Sequence, residues 1–175
     1  MQLYYTKLKT LFNDADELYN RLSIKDDANE FTWDISYHYN FIRLPNSYVL
    51  NNSTLSKINE QWELVPLIIK MPPNTSYNWH VDAERSFAIN LLLNNHSQSH
   101  TTFLADSTLQ SSINNITELV YEPQTLYLFN VQEQHAVLNL NHNRYLLSFT
   151  FKNHRSVVPY SKVLEYCKFN NLIEQ

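Results

Sequence analysis

A chain of 175 residues with 43% hydrophobic and 17% charged side chains can bury one core and is not disordered by composition. Its single cysteine, Cys167, excludes an intrachain disulfide framework and a thiolate metal cluster, and fits a reducing compartment. The net charge of -4 argues against a nonspecific grip on phosphate backbones, leaving nucleic acid open only as a substrate. No charged-then-apolar leader opens the chain and no apolar run approaches bilayer length, so the expectation is a cytoplasmic protein with no membrane partner.

The apolar set Ala15, Leu18 and Leu22 predicts a helix over Asn13 to Leu22. Phe31, Trp33, Ile35, Tyr37 and Tyr39 alternate with polar residues, which predicts a strand with one buried face. Ser53 reads as the N-cap of a helix running to about Trp62. The text then changes to short β segments: Leu64 to Met71, a turn over Pro72 to Asn78, Arg85 to Leu93, Thr101 to Ala105, Glu118 to Tyr121, Thr125 to Phe129, His135 to Asn139 and Arg144 to Phe151. A helix from Ser161 to about Phe169 closes the chain. The series predicts a β sandwich or barrel of about eight strands in a single domain. In it, residues 1–62 act as packaging, 63–151 as the β core and 152–175 as a C-terminal helical cover. Glycine is absent, so Asn74, Asn95, Asn141 and Asn143 are expected at turn positions that glycine usually takes.

Within this series, His80 and Asp82 stand one residue apart before a strand, so both side chains leave an extended segment on the same side. His135 lies far downstream near the start of another strand, and Arg144 follows it by nine residues. Two imidazoles and one carboxylate, with neighbouring positions left open, are the ligand set of non-haem Fe(II) oxygenases. A fixed arginine adds a cation that can hold the carboxylate of a co-substrate. Other histidines read otherwise. His96 and His100 lie in a loop composition, His142 sits in a turn, and His38 and His154 have no partner nearby in sequence.

The run from Lys70 through Pro72-Pro73-Asn74 to His80-Val81-Asp82 resembles the entry strand, turn and first ligands of Fe(II)/2-oxoglutarate-dependent oxygenases. Glu122 to Asn130, His135-Ala-Val-Leu-Asn139 and Arg144-Tyr-Leu-Leu-Ser148 are similar to the distal part of the aspartyl/asparaginyl and proline hydroxylase group. The resemblance spans about residues 64 to 151. It implies a mainly β, cupin-like double-stranded β-helix with a few flanking helices. It also implies iron ligands His80, Asp82 and His135, with Arg144 on the distal carboxylate of 2-oxoglutarate. Arg85 is a second candidate cation for the co-substrate, and Ser148, on Arg144's strand face, a candidate donor to the same carboxylate. Asn74 and Gln124 replace glycines common in the family, which affects only turns. The retained Asp82 favours hydroxylation over halogenation. The expected reaction uses Fe(II), 2-oxoglutarate and O2 to hydroxylate a protein side chain or a small amino-acid-like molecule. A cupin-type metalloenzyme without 2-oxoglutarate and a catalytically silent β-barrel binding module are the alternatives.

Overall fold

The computed structural model describes residues 4–27, 31–35, 39–94, 98–104, 115–151 and 157–174. The chain order is β1 (Tyr5–Leu11), α1 (Ala15–Asp27), β2 (Asp34–Ile35), β3 (Asn40–Arg43), α2 (Ser47–Leu50), α3 (Ser53–Gln61), β4 (Leu64–Met71) and β5 (Thr75–His80). It continues with β6 (Phe87–Leu92), β7 (Ser99–Leu104), β8 (Ile116–Leu119), β9 (Thr125–Asn130), β10 (His135–Asn139), β11 (Arg144–Phe151) and α4 (Tyr160–Phe169). The strands pair antiparallel into a seven-stranded sheet, β1-β9-β6-β11-β4-β3-β2, and a four-stranded sheet, β5-β10-β7-β8. This is a jelly roll of the double-stranded β-helix kind, the mainly β architecture implied above. Among the described residues no helix is long and apolar enough to cross a membrane.

The central strands of the large sheet are buried on both faces, which is why β6 and β9 read as nearly unbroken apolar runs rather than alternating ones. One face carries Phe87, Ile89 and Leu91 of β6, Leu126 and Leu128 of β9, and Leu147 and Phe149 of β11. These pack with Ala15, Leu18 and Leu22 of α1, Leu55 and Ile58 of α3, and Val163 and Cys167 of α4. The alternate positions Asn90, Phe129, Arg144, Leu146 and Ser148 face the other way and line a cavity toward the smaller sheet. Helices thus seal one side and leave the other for chemistry. Cys167 belongs to the sealed side, where burial pushes its thiol up to about 12.

Several expectations need correction. The Pro72 to Asn78 segment is a turn only at its start. Asn74 takes φ 56, and from Thr75 the chain is already β5, whose partner β10 lies sixty residues on and leaves no local signature. The N-cap of α3 is Asn52 rather than Ser53, its side chain accepting from the Leu55 N–H at 3.1 Å. The alternating 31–39 segment gives only the two-residue β2, with Ile35 exposed, before β3; residues 36–38 lie outside the described set. Asn141 and Asn143 do not adopt positive φ, whereas Gln124 does. Asn95, His96, His38 and His154 are outside the described residues. β1 was not anticipated, because its pairing is long-range on both edges. It joins β9 on one side, and on the other Lys9 donates to the Leu172 carbonyl at 2.8 Å.

Asp26, near the end of α1, fastens that helix to the large sheet. Its carboxylate accepts from Trp33 Nε1 at 2.9 Å and from the Tyr145 hydroxyl, and pairs with Lys70 Nζ at 2.6 Å. Burial opposes the charge, but the Lys70, Tyr145 and Trp33 hydrogen bonds outweigh it and hold the carboxyl below its ordinary value. Asp26→Ala strands Lys70 and should cost about 3 kcal/mol. The folded state holds this carboxyl ionised more firmly than the unfolded chain does. Its contribution is therefore full above about pH 4 and lost as pH falls through the lower folded value. Urea midpoints of parent and variant should differ most near neutrality and converge in acid; a constant gap would contradict the pairing.

Candidate metal centre

Strands β5 and β10 run side by side with His80 directly opposite His135, and the two ring centroids are 4.1 Å apart. The register shifts between His135 and Val137, a local irregularity of the kind that re-aims a side chain. Asp82, two residues beyond β5, donates its backbone N–H to the Val131 carbonyl at 2.9 Å, which fixes the chain there. Asp82 Oδ1 lies 3.5 Å from His80 Nε2 and 3.9 Å from His135 Nε2. Among the described residues these three form the one group of His, Cys, Asp or Glu donors close enough to share an ion.

The backbone sets the tautomer of both rings. His80 Nδ1 sits 2.7 Å from the Asn78 carbonyl and His135 Nδ1 sits 2.9 Å from the Glu133 carbonyl. A carbonyl only accepts, so each Nδ1 carries the hydrogen. In the neutral ring the Nε2 lone pair then faces Asp82, as a metal ligand requires. Tyr77 stacks on His80 at 3.7 Å and limits its rotation.

Charge is arranged to the same end. Burial works against the Asp82 carboxylate, but the His80 contact and the Arg85 guanidinium outweigh it and hold the group at about 2. Burial lowers the pKa of His135, the Glu133 carbonyl opposing and His80 adding to the effect. A buried carboxylate oxygen facing two imidazole Nε2 atoms is an N2O donor set that can hold a divalent transition metal, Fe(II) among them.

Arg144 opens β11 and lies at the other end of the same cavity, 2% exposed. Its Nη2 donates to Thr101 Oγ1 at 3.1 Å and to the Tyr121 hydroxyl at 3.2 Å, and Nη1 reaches Met71 Sδ at 3.9 Å. Its Nε is buried with no acceptor. Among the described residues no carboxylate pairs with it. An unneutralised buried cation is costly, and a ligand anion at this point removes the cost. Thr101 is two residues from Phe103, the partner of His135 across β7 and β10, so the cation sits about 7 Å along the strand from the level of His135. A five-carbon diacid spans such a gap. The cavity holds about 60 Å³, room for roughly four to six waters at 10–15 Å³ each and too little for a large cofactor.

The structure brings His80, Asp82, His135, Arg85, Arg144 and Ser148 to one cavity. Ser148 is buried in β11, directly across from Asn90 of β6. Arg85 is found at the metal end, with Nε on Asp82 Oδ2. His100 instead pairs with Glu118 on the outside of the small sheet. Sequence reasoning missed Thr101, Tyr121 and Gln132, which reach the site through long-range pairing and carry no local motif. A larger cleft of about 640 Å³, lined by residues such as Phe12, Asp14, Arg21 and Tyr48, lies apart from the triad.

Solved structures with the same backbone arrangement include a prolyl-4-hydroxylase from Pseudomonas putida, 14% identical, with a TM-score of 0.63 over 86% of this chain and 92% of that one. A prolyl hydroxylase from Trichoplax adhaerens, solved with a hypoxia inducible factor peptide fragment, is 10% identical, with a TM-score of 0.64 over 88% of this chain and 86% of that one. The fold is that of the 2OG-Fe(II) oxygenases. A viral collagen prolyl hydroxylase from Paramecium Bursaria Chlorella virus-1, solved with 2OG, is 13% identical, with a TM-score of 0.53 over 84% of this chain and 94% of that one. No family model and no curated protein matches the sequence, so the likeness to this oxygenase fold is one of backbone. The structures named are prolyl hydroxylases and give no support to the aspartyl/asparaginyl subgroup in particular.

Proposed function

We propose that the chain is a single-domain Fe(II)/2-oxoglutarate-dependent dioxygenase that hydroxylates a protein side chain or a small amino-acid-like substrate. The observation that carries this reading is Arg144, a buried guanidinium with no carboxylate partner among the described residues, in the same cavity as the His80, Asp82 and His135 donors. A cupin that uses metal alone has no need of that cation. The fold shared with prolyl hydroxylases, one of them solved with a peptide, supports a peptide side chain as the substrate class.

In this reading His80 and His135 offer Nε2 and Asp82 offers Oδ1 to the iron, all from one side, leaving the opposite side for co-substrate and O2. Arg144 pairs with the far carboxylate of 2-oxoglutarate, and the Thr101 and Tyr121 hydroxyls, now on Nη2, are placed to donate to the same anion. Ser148, farther along the Arg144 face of β11, is a further donor to the co-substrate. Ile69, Met71, Leu146 and Val137 line the walls and exclude water from the charged ends. Iron and 2-oxoglutarate, when bound, supply the oxidative decarboxylation that yields succinate and CO2 and places one oxygen atom on a substrate C–H bond.

Anaerobic calorimetry with 2-oxoglutarate and glutarate, each with and without Fe(II), tests the two-ended site. Glutarate keeps both carboxylates but lacks the keto oxygen. Iron should tighten 2-oxoglutarate by ten-fold or more and glutarate far less. Equal 2-oxoglutarate affinity with and without iron would overturn the proposal.

A further inference from the structure

The two halves of the triad are far apart in sequence, yet one turn fastens them together. The turn between β9 and β10 leads directly into His135, and its Gln132 reaches across to the loop that carries Asp82. Gln132 Nε2 donates to the Asp82 carbonyl at 3.1 Å and to the Arg85 carbonyl at 2.6 Å, while Val131, next in the turn, accepts from the Asp82 N–H at 2.9 Å. Gln132 is itself held, its N–H donating to Asn130 Oδ1 at 3.2 Å. Near the end of the loop Arg85 places its Nε on Asp82 Oδ2, while Oδ1 is the oxygen nearest both Nε2 atoms.

From this arrangement, and resting on the metal site proposed above, we infer that Arg85 and Gln132 are positioning residues that brace Asp82 so that Oδ1 alone ligates the metal. A carboxylate can bind a cation through one oxygen or both. An arginine N–H on Oδ2 occupies one of that oxygen's two lone pairs in a charge-assisted hydrogen bond and orients the carboxylate with Oδ2 toward the guanidinium, which opposes the rotation that two-oxygen binding requires. Arg85 side-chain exposure is 26% against 11% for Asp82, so the brace closes the solvent side of the ligand. Gln132 holds the carbonyls at both ends of the loop and so sets the distance between Arg85 and Asp82. One-oxygen ligation keeps an extra coordination place open beside the two histidines. This moves Arg85 from the co-substrate to the metal.

The test uses Co(II) as the probe, read by its visible spectrum and by titration, with crystal structures of the Co(II) forms. In Arg85→Ala the affinity should fall about ten- to a hundred-fold, the span typical when a group supporting a metal ligand is lost. The spectrum should shift, and Asp82 should bind through both oxygens; the parent should bind through Oδ1 alone. Arg85→Lys, which keeps the charge but not the planar donor, should restore only part of the affinity. Gln132→Ala should shift the spectrum in the same direction by less. Parent-like affinity and spectrum in Arg85→Ala, or Asp82 binding through both oxygens in the parent, would overturn the inference. Should Arg85→Ala not fold, unchanged spectra in Arg85→Lys and Gln132→Ala would overturn it instead. No Co(II) binding by the parent would remove the metal site itself, a failure distinct from these.

Discussion

Arg144→Met is expected to lose 2-oxoglutarate affinity by a hundred-fold or more while leaving the ligand-free protein as stable as the parent, or more so. The two effects have one cause. In the ligand-free fold the guanidinium is 2% exposed and, among the described residues, satisfied by two hydroxyls and a thioether, with Nε unpaired. Burial lowers its pKa, the Tyr121 hydroxyl partly opposing this through charge and hydrogen bonding. A buried charge without a counter-ion subtracts stability, and an apolar side chain of similar length relieves that. The ligand's carboxylate compensates the cost, so its loss appears in binding, at about 3 kcal/mol or more. Arg144→Lys should sit between parent and Met, because a point charge cannot form the two-pronged pair. Thermal melting with calorimetry checks both limbs. A large drop in stability with unchanged 2-oxoglutarate affinity would make Arg144 a structural residue.

His80→Ala, Asp82→Ala and His135→Ala are each expected to weaken Fe(II) binding by well over a hundred-fold, more than the loss of a supporting group costs. The fold should survive. All three sit at the ends of β5 and β10 or just beyond, outside the hydrophobic clusters that join sheet and helices. Asp82→Ala frees Arg85, but that side chain is 26% exposed and water can take the place of its partner. Iron titration beside circular dichroism separates loss of ligands from loss of fold. Undiminished iron binding in any two of the variants would rule out this triad.

Much of the fold was legible because its signals are local. Ala15, Leu18 and Leu22 repeat at helical spacing and are buried on α1, and the β-rich text from Leu64 to Phe151 gives most of the two sheets. What escaped was set by distant partners. β1 and β5 are strands because β9 and β10 lie beside them, and Asp34 and Ile35 are exposed despite their alternation. The site divides in the same way. His80 and Asp82 could be paired from their spacing, and His135 and Arg144 from their strand positions, since ligand chemistry restricts the residue types. Thr101, Tyr121 and Gln132 offer no such restriction. A hydroxyl or an amide is common anywhere, and only the packing of distant strands and their connecting turns brings these to Arg144 and Asp82. Arg85 was legible as a rim cation, but its partner was not.

The most direct measurement is succinate formation from 2-oxoglutarate by the purified protein supplied with Fe(II) and O2, followed without added substrate and again with proline-containing peptides. The proposed dioxygenase activity requires that succinate depend on both iron and O2, rise when a peptide is accepted, and disappear in His135→Ala and Arg144→Met. No succinate from an iron-loaded, folded parent under any of these conditions, or equal succinate in Arg144→Met, would contradict it.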